Sequence, residues 1–136
     1  MVNKTNKHLH VTCAIIERDG LVLTAKRSST MSMPLKWEFP GGKIRPGETK
    51  EACLVREINE ELGVIVLILT PLTSYTYHYP EVTVSLYPFI CRIKSGVITL
   101  SEHSEVAWVD PGKLHCLDWA EADLPIVNDY VKRISL

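Results

Sequence analysis

Short runs of apolar, β-prone residues recur along the chain, and each run predicts a β-strand. The first two runs are separated by Asp19-Gly20, a strong signal for a β-hairpin. Residues 28–36, after the second run, predict a loop. Pro88 lies inside a later run and places that strand at a sheet edge or a bulge. The predicted strands cover residues 11–17, 21–26, 37–39, 64–69 (a buried strand), 73–79, 82–91 and 105–109.

The remaining patterned segments predict helices. Thr49 suits the N-cap of a helix that runs to about Leu62, with Glu51 in its first turn and Gly63 as its C-terminal stop. Residues 111–116 and 124–134 predict two more helical segments. Strands and helices in this mixed order predict an α/β fold, a sandwich around a mixed β-sheet.

The composition is that of a soluble globular protein without affinity for nucleic-acid polymers. Hydrophobic residues make up 46% of the 136 residues, and 15 basic against 16 acidic residues give a net charge of −1. The longest aliphatic run, Val64 to Leu69, is too short to span a membrane, and the N-terminus lacks a signal region. The four cysteines form no CxxC pair. We expect one cytoplasmic domain over residues 1–136, a monomer or, alternatively, a dimer.

Three glutamates crowd one side of the predicted first helix. At 100° per residue, Glu57, Glu60 and Glu61 fall within about 100° of one another. Like charges at this spacing destabilise a helix by roughly 0.2–0.5 kcal/mol per pair, and the helix dipole disfavours anions near the C-terminus. The stripe is either a solvated acidic face or a site where a divalent cation binds between the carboxylates. The surrounding motif decides between these two interpretations.

The stripe belongs to a longer motif, Gly42-x5-Glu48-x7-Arg56-Glu57-Ile58-x-Glu60-Glu61-x-Gly63-Val64. So many fixed positions make a strong signal, unlike a lone glycine motif. The motif over residues 42–64 resembles the Nudix box in full, so the chain is identified as a member of the Nudix hydrolases. The resemblance implies a Nudix-like α/β/α sandwich around a mixed β-sheet, a small-molecule nucleotide as substrate, and hydrolysis of a phosphoanhydride bond.

The same resemblance implies a metal site. In it, Glu57, Glu60 and Glu61 bind Mg²⁺, with Mn²⁺ as an alternative, helped by the carbonyl of Gly41. Glu57 is also the candidate to orient or deprotonate the attacking water.

Three further residues of this region have expected supporting roles. The guanidinium of Arg56 can hold the neighbouring glutamate in one orientation. Glu48 is expected to fix Arg56 and the loop, and Lys43 can neutralise charge on a phosphate.

Segments outside the box resemble the MutT-type phosphohydrolases and, more closely, their CTP-pyrophosphohydrolase relatives. These segments include Ile15 to Gly20 and Trp37 to Ile44. In that branch, Glu102 falls where a loop glutamate binds metal, and Arg27 falls where an arginine lies near the triphosphate. The alternatives are a surface carboxylate for Glu102 and a strand-end surface arginine for Arg27.

Two residues match positions of the nucleotide pocket in that branch. Asp123 falls where MutT has a base-reading asparagine; an ionised aspartate only accepts hydrogen bonds and would favour a base edge rich in N–H donors. The alternative for Asp123 is the N-cap of the last helix, just before Leu124-Pro125. Tyr79 can stack on a base or simply pack. Val82 stands where enzymes selective for 8-oxo-guanine have an arginine, which weakens the case for strict selectivity.

The five histidines share no ligand spacing, and we expect them at the surface. His103, next to Glu102, is at most a candidate for a supporting role at the metal.

Three functions remain to be compared. The first is pyrophosphohydrolysis of CTP, dCTP or a modified dNTP such as 8-oxo-dGTP, which would sanitise the nucleotide pool and thereby serve DNA repair. The second is hydrolysis of ADP-ribose or another nucleoside diphosphate derivative. The third is a sensor that binds a nucleotide without cutting it, which the complete set of box carboxylates disfavours.

Overall fold

A computed structural model describes residues 7–135; the polar start, residues 1–6, and Leu136 lie outside this range. It contains eight strands, two α-helices and two 3₁₀ helices over the described residues. The strands are β1 (Lys7–Arg18), β2 (Leu21–Lys26), β3 (Trp37–Glu38), β4 (Gly41–Lys43), β5 (Ile65–Pro71), β6 (Tyr75–His78), β7 (Val82–Ser95) and β8 (Glu105–Val109); the α-helices are α1 (Lys50–Leu62) and α2 (Leu124–Ile134), and the 3₁₀ helices are Pro111–Cys116 and Glu121–Asp123.

The long strand β1 organises the sheet. It runs parallel to β7 over ten residue pairs and antiparallel to β4 and, through the predicted hairpin, to β2. β5 and β6 pair antiparallel with successive parts of β7, while β3 and β8 pair antiparallel with β2. The predicted mixed sheet is therefore confirmed, and β4 brings the start of the box onto the central strand.

Successive residues of β1 bury their side chains on opposite faces of the sheet. Cys13 and Ile15 join the core under α2, whereas Ala14 and Ile16 join the core under α1. Each helix thus covers one face, which confirms the predicted α/β/α sandwich. The α1 core includes Leu54, Ile58 and Leu62, all fully buried, so the box helix is fixed by its apolar side while its acidic side faces β4.

The predicted caps of α1 are present. The Thr49 hydroxyl accepts a hydrogen bond from the Ala52 N–H at 3.1 Å. Gly63 adopts a left-handed conformation with φ of 70° and donates its N–H to the Asn59 carbonyl. These caps set both ends of the helix that carries the glutamates.

Two details of the strand predictions are wrong. The strand predicted as buried is an edge strand, β5, whose alternate residues Ile65, Leu67 and Leu69 are exposed. The strand that contains Pro88 is central, so the edge alternative is wrong, while an irregularity of the kind expected for a bulge lies nearby, where the β5–β7 register shifts opposite Ile90. Pro88 is tolerated there because it lies between the segments of β7 that pair with β6 and with β5, where its carbonyl accepts the Leu72 N–H.

Within residues 7–135, no helix is both long enough and apolar enough to cross a membrane.

Candidate active site

Arg56 organises the acidic side of α1. Its Nε and Nη2 donate to the two carboxylate oxygens of Glu48 at 2.7 and 2.9 Å, a bidentate pair. Glu48 also accepts the Arg45 N–H at 3.0 Å. The hydrogen bonds from Arg56 and from the Arg45 backbone hold the pKa of Glu48 at about 2. Glu48 thus stays ionised and fixes both the guanidinium and the loop before the helix, the contacts expected from the sequence.

The same guanidinium positions Glu57. Nη1 of Arg56 donates to Oε1 of Glu57 at 2.7 Å. The other side of the Glu57 carboxylate lies over Gly42, where an added Cβ would come within 2.2 Å of it. One carboxylate oxygen of Glu57 is therefore held by an arginine, and the carboxylate packs against the backbone of β4, which has no side chain at Gly42. These two contacts give Glu57 a single position from which it can act on a ligand.

Glu60 and Glu61 differ in their surroundings. Glu60 is half exposed and bonds Nη1 of Arg56 at 3.3 Å. Glu61 lines the interior and accepts the N–H of Gly41 at 3.1 Å through Oε1. Burial, together with the nearby carboxylates of Glu38 and Glu57, raises the pKa of Glu61 to about 8. A cation beside such a carboxyl group would stabilise its ionised form.

A buried histidine next to Glu61 contradicts the expected surface position. The His103 side chain is fully buried, with Nε2 hydrogen-bonded to Oε2 of Glu38 at 2.8 Å and Nδ1 at 3.7 Å from Oε2 of Glu61. Burial lowers the pKa of His103, but Glu38 and Glu61 outweigh it and raise the pKa overall. Nothing in its sequence spacing marked His103, because its partners come from β3 and α1, which are distant in the chain.

The neighbouring Glu102 is not brought into this group. It is exposed on the loop before β8, and its contact with metal stays a prediction. Lys43 is exposed at the end of β4 and lines the cavity described next.

A cavity of about 740 Å³ opens beside the box. Its lining includes the box residues Gly41, Gly42, Lys43 and Glu61. It continues to segments outside the box, which contribute Arg27, Met31, Met33, Glu38, Phe39, Tyr79, Val84, Leu86, Ala122 and Asp123. The volume suits a small organic ligand, and the lining brings every predicted substrate-binding residue to the same space as Glu61.

Asp123 stands at the N-cap position of α2, as the alternative predicted, and also lines the cavity. It is 6% exposed, and its side chain makes no capping bond to α2. Instead, Oδ2 accepts the Phe39 N–H at 2.9 Å. Burial, followed by the charge of Glu38, raises the pKa of Asp123 to about 8. The neutral form that this shift favours would both donate and accept, whereas the ionised form expected from the sequence only accepts. The role of Asp123 toward a base stays a prediction.

Tyr79 connects three segments around the cavity. It follows β6, and its hydroxyl accepts the Ala122 N–H at 3.1 Å and donates to the sulfur of Met33 at 3.5 Å. Its ring lines the cavity, so stacking on a base stays a prediction.

The donor set fits a divalent cation. Carboxylate oxygens are the ligands that Mg²⁺ and Mn²⁺ prefer, and the crowding of Glu57 and Glu61 beside Gly41 calls for a positive charge. Within residues 7–135, no three His, Cys, Asp or Glu side chains are already arranged to hold a metal ion. The ligand role of the Gly41 carbonyl stays a prediction.

Comparisons with known proteins agree with this geometry. The model of the NUDIX domain matches residues 6–130, so the chain belongs to the NUDIX domain family. It is 31% identical over 125 residues to the CTP pyrophosphohydrolase of Escherichia coli K12, covering 92% of this chain and 93% of that protein. It is 28% identical over 122 residues to the 8-oxo-dGTP diphosphatase of the same strain, covering 89% and 95%.

The fold is shared as well. The solution structure of the E. coli ORF135 protein superposes with a TM-score of 0.80 at 30% identity, covering 93% of this chain and 90% of that one. The family and the fold class expected from the sequence are therefore confirmed.

Replacing Gly42 by alanine tests the seat of Glu57. The new methyl group would displace the Glu57 carboxylate, because the clash is with the end of a flexible side chain. A displacement on the order of 1 Å can lower kcat about 100-fold, while the unfolding free energy should change by no more than roughly 1 kcal/mol. Steady-state kinetics and urea denaturation measure the two effects. Gly112→Ala, remote from the cavity lining, is the control; equal kcat for the two variants would contradict the assigned geometry.

Proposed function

We propose that this protein is a divalent-metal-dependent nucleoside triphosphate pyrophosphohydrolase, which converts a nucleoside triphosphate and water into a nucleoside monophosphate and pyrophosphate. The observation that carries the proposal is the Glu57 carboxylate, held by Arg56 over Gly42, which lines the same cavity as Asp123. The names of the relatives support the same activity. In this proposal residues 1–136 form one domain that acts on small nucleotides in the cytoplasm.

The reaction needs little covalent help from the protein. The water oxygen bonds to a phosphorus of the α–β anhydride, the bridging oxygen leaves with the other phosphate, and a water proton passes to Glu57 and from there to solvent. Such transfers depend mainly on positioning and electrostatics. Glu57 orients the water and accepts its proton, because Arg56 fixes one carboxylate oxygen and leaves the other beside Gly42, which lines the cavity. Glu48 keeps Arg56 in place.

Glu57, Glu60 and Glu61 would hold Mg²⁺ or Mn²⁺, which when bound withdraws charge from the phosphates. Lys43, exposed on the cavity lining, is placed to meet a phosphate oxygen. The guanidinium of Arg27 already donates hydrogen bonds to Ser32 and Glu38. Its expected contact with the triphosphate therefore requires some of these hydrogen bonds to break.

The region around Asp123 would receive the base. A neutral Asp123 offers one donor and one acceptor, as an asparagine does, and Tyr79 and Phe39 provide aromatic surface. This chemistry suits a pyrimidine such as that of CTP or dCTP, and also a modified purine such as that of 8-oxo-dGTP. Hydrolysis of damaged or surplus triphosphates would cleanse the nucleotide pool and so protect DNA.

Glu57→Gln tests the activity directly. Without the carboxylate, we expect kcat in Mg²⁺ to fall by roughly 100- to 1000-fold, the usual effect of losing one preorganised electrostatic group. The assay is chromatographic release of nucleoside monophosphate from CTP, dCTP, 5-methyl-dCTP, 8-oxo-dGTP and 2-hydroxy-dATP, with ADP-ribose as the competing substrate class. Glu51→Gln, an exposed change on the same helix, is the matched control. Full turnover by Glu57→Gln, or a clear preference of the wild type for ADP-ribose, would refute the proposal.

Asp123→Asn tests how the base is read. Because the amide resembles the neutral acid, the variant should rank the substrates as the wild type does at pH 6. As the pH rises through about 8, wild-type Asp123 ionises and loses its donor. Glu61 titrates in the same range in both proteins, so the wild-type KM should show a change with pH that the profile of Asp123→Asn lacks. Profiles of KM against pH from 6 to 9 check this. Identical profiles for both proteins would show that Asp123 does not read the base.

A further inference from the structure

Four neighbouring side chains extend from the box to the loop over residues 28–36. Nη1 of Arg27 donates to Oε1 of Glu38 at 2.8 Å, and Oε2 of Glu38 bonds Nε2 of His103 at 2.8 Å. Nδ1 of His103 then faces Oε2 of Glu61 at 3.7 Å. We name this set, Arg27, Glu38, His103 and Glu61, the side-chain relay. Its members come from the end of β2, from β3, from the loop before β8 and from α1.

At one end the relay holds the 28–36 loop. Nε of Arg27 donates to the Ser32 carbonyl at 2.6 Å and Nη2 donates to the Ser32 hydroxyl at 2.9 Å. The backbone of Arg27 also bonds the far side of the loop, donating to the Lys36 carbonyl at 2.8 Å and accepting the Leu35 N–H at 3.1 Å. The position of this guanidinium therefore sets the position of the loop.

The loop is held in a conformation that it would not adopt alone. Met33 and Leu35 have positive φ angles of 49° and 62°, each of which costs on the order of 1 kcal/mol or more for a residue other than glycine. Met31 and Met33 line the cavity. Contacts around the loop thus keep two methionines against the space where a nucleotide would lie. A change in the hydrogen bonds between Arg27 and the loop would move these methionines.

At the other end the relay is incomplete. Among the described residues, Nδ1 of His103 is the buried side-chain nitrogen or oxygen that has no hydrogen-bond partner. It is fully buried and aimed at Oε2 of Glu61, while Oε1 of Glu61 is occupied by the Gly41 N–H. A separation of 3.7 Å is too long for a hydrogen bond, so this joint can tighten or loosen when the charge on Glu61 is shared with a cation.

We propose that His103 is a positioning residue that couples cation binding at Glu61 to the conformation of the 28–36 loop. A cation bound at Oε2 of Glu61 places positive charge beside Nδ1 of His103, which repels the ring toward Glu38, so that His103 bonds Glu38 more closely. Glu38 then shares less of its charge with Arg27, and the guanidinium and its loop shift. The proposal rests on the proposed function only in taking Glu61 as a cation ligand.

The methionines make this coupling measurable without any nucleotide. The chain has three methionines, and two of them, Met31 and Met33, belong to the loop. We expect Mg²⁺ added to protein labelled with ¹³C at the methionine methyl groups to shift the Met31 and Met33 resonances. In His103→Gln the shifts at saturating Mg²⁺ should fall to less than a third of the wild-type values, because a glutamine reaches Glu38 without also facing Glu61.

The controls separate a lost connection from a damaged fold. His115→Gln changes an exposed histidine that bonds Asn128, and it should behave as the wild type. Glu38→Gln removes the charge of the carboxylate between Arg27 and His103 with little change in side-chain shape. It replaces His103→Gln as the test variant if His103→Gln folds poorly. Calorimetry gives Mg²⁺ affinity and thermal unfolding gives stability for each variant, so that the methyl shifts are compared between folded, metal-saturated proteins.

The outcomes separate the coupling from the proposed function. Loss of the methyl shifts in a folded, Mg²⁺-binding relay variant, with the shifts retained in His115→Gln, supports the coupling. Equal shifts in the wild type and the relay variants would overturn it, and so would Mg²⁺ binding to the wild type without any shift; in both cases the metal site stands. Absence of Mg²⁺ binding to the wild type would overturn the coupling and the proposed function together.

Discussion

The bidentate pair between Arg56 and Glu48 is the interaction on which the site depends. Three glutamates near the C-terminal end of α1 repel one another and oppose the helix dipole. A guanidinium fixed among them neutralises part of that charge and, because its fork is rigid, gives Glu57 a single orientation. Without Glu48, the Arg56 side chain could pair with any of the three helix glutamates and would no longer have one fixed position. The loop before the helix is tied to the same pair through the Arg45 N–H.

The fold supports this arrangement from both sides. The apolar side of α1 is anchored by fully buried residues such as Ile58, and β4 is paired to β1 so that Gly42 lies under Glu57. Glu61 and Glu38 form a second pair of carboxylates. There the protein adds His103 and Arg27 as positive or hydrogen-bonding partners. Within the acidic cluster Glu60 is half exposed, whereas Glu57 and Glu61 are only partly exposed.

Local signals made much of this predictable. The caps at Thr49 and Gly63 and the hairpin at Asp19-Gly20 depend on neighbouring residues, and their chemistry is visible in the sequence. The stripe of glutamates follows from helical geometry alone. What could not be predicted depends on contacts between distant segments. The His103 side chain is buried beside Glu38 of β3 and Glu61 of α1, and Asp123 faces Phe39 across 84 positions of sequence. The exposure of β5 likewise depends on where α2 stops covering the sheet, which an aliphatic run does not reveal.

The central claim is that a cation binds among these carboxylates, and calorimetry of Mg²⁺ binding at pH 7 in two buffers of different ionisation enthalpy tests it most directly. With a pKa of about 8, Glu61 is largely protonated at pH 7, so a cation that takes its carboxylate must release a proton, up to about one per bound ion. The account predicts Mg²⁺ binding with a heat that depends on the buffer, and loss of that dependence in Glu61→Gln. Absence of Mg²⁺ binding, or an equal buffer dependence in Glu61→Gln, would contradict it.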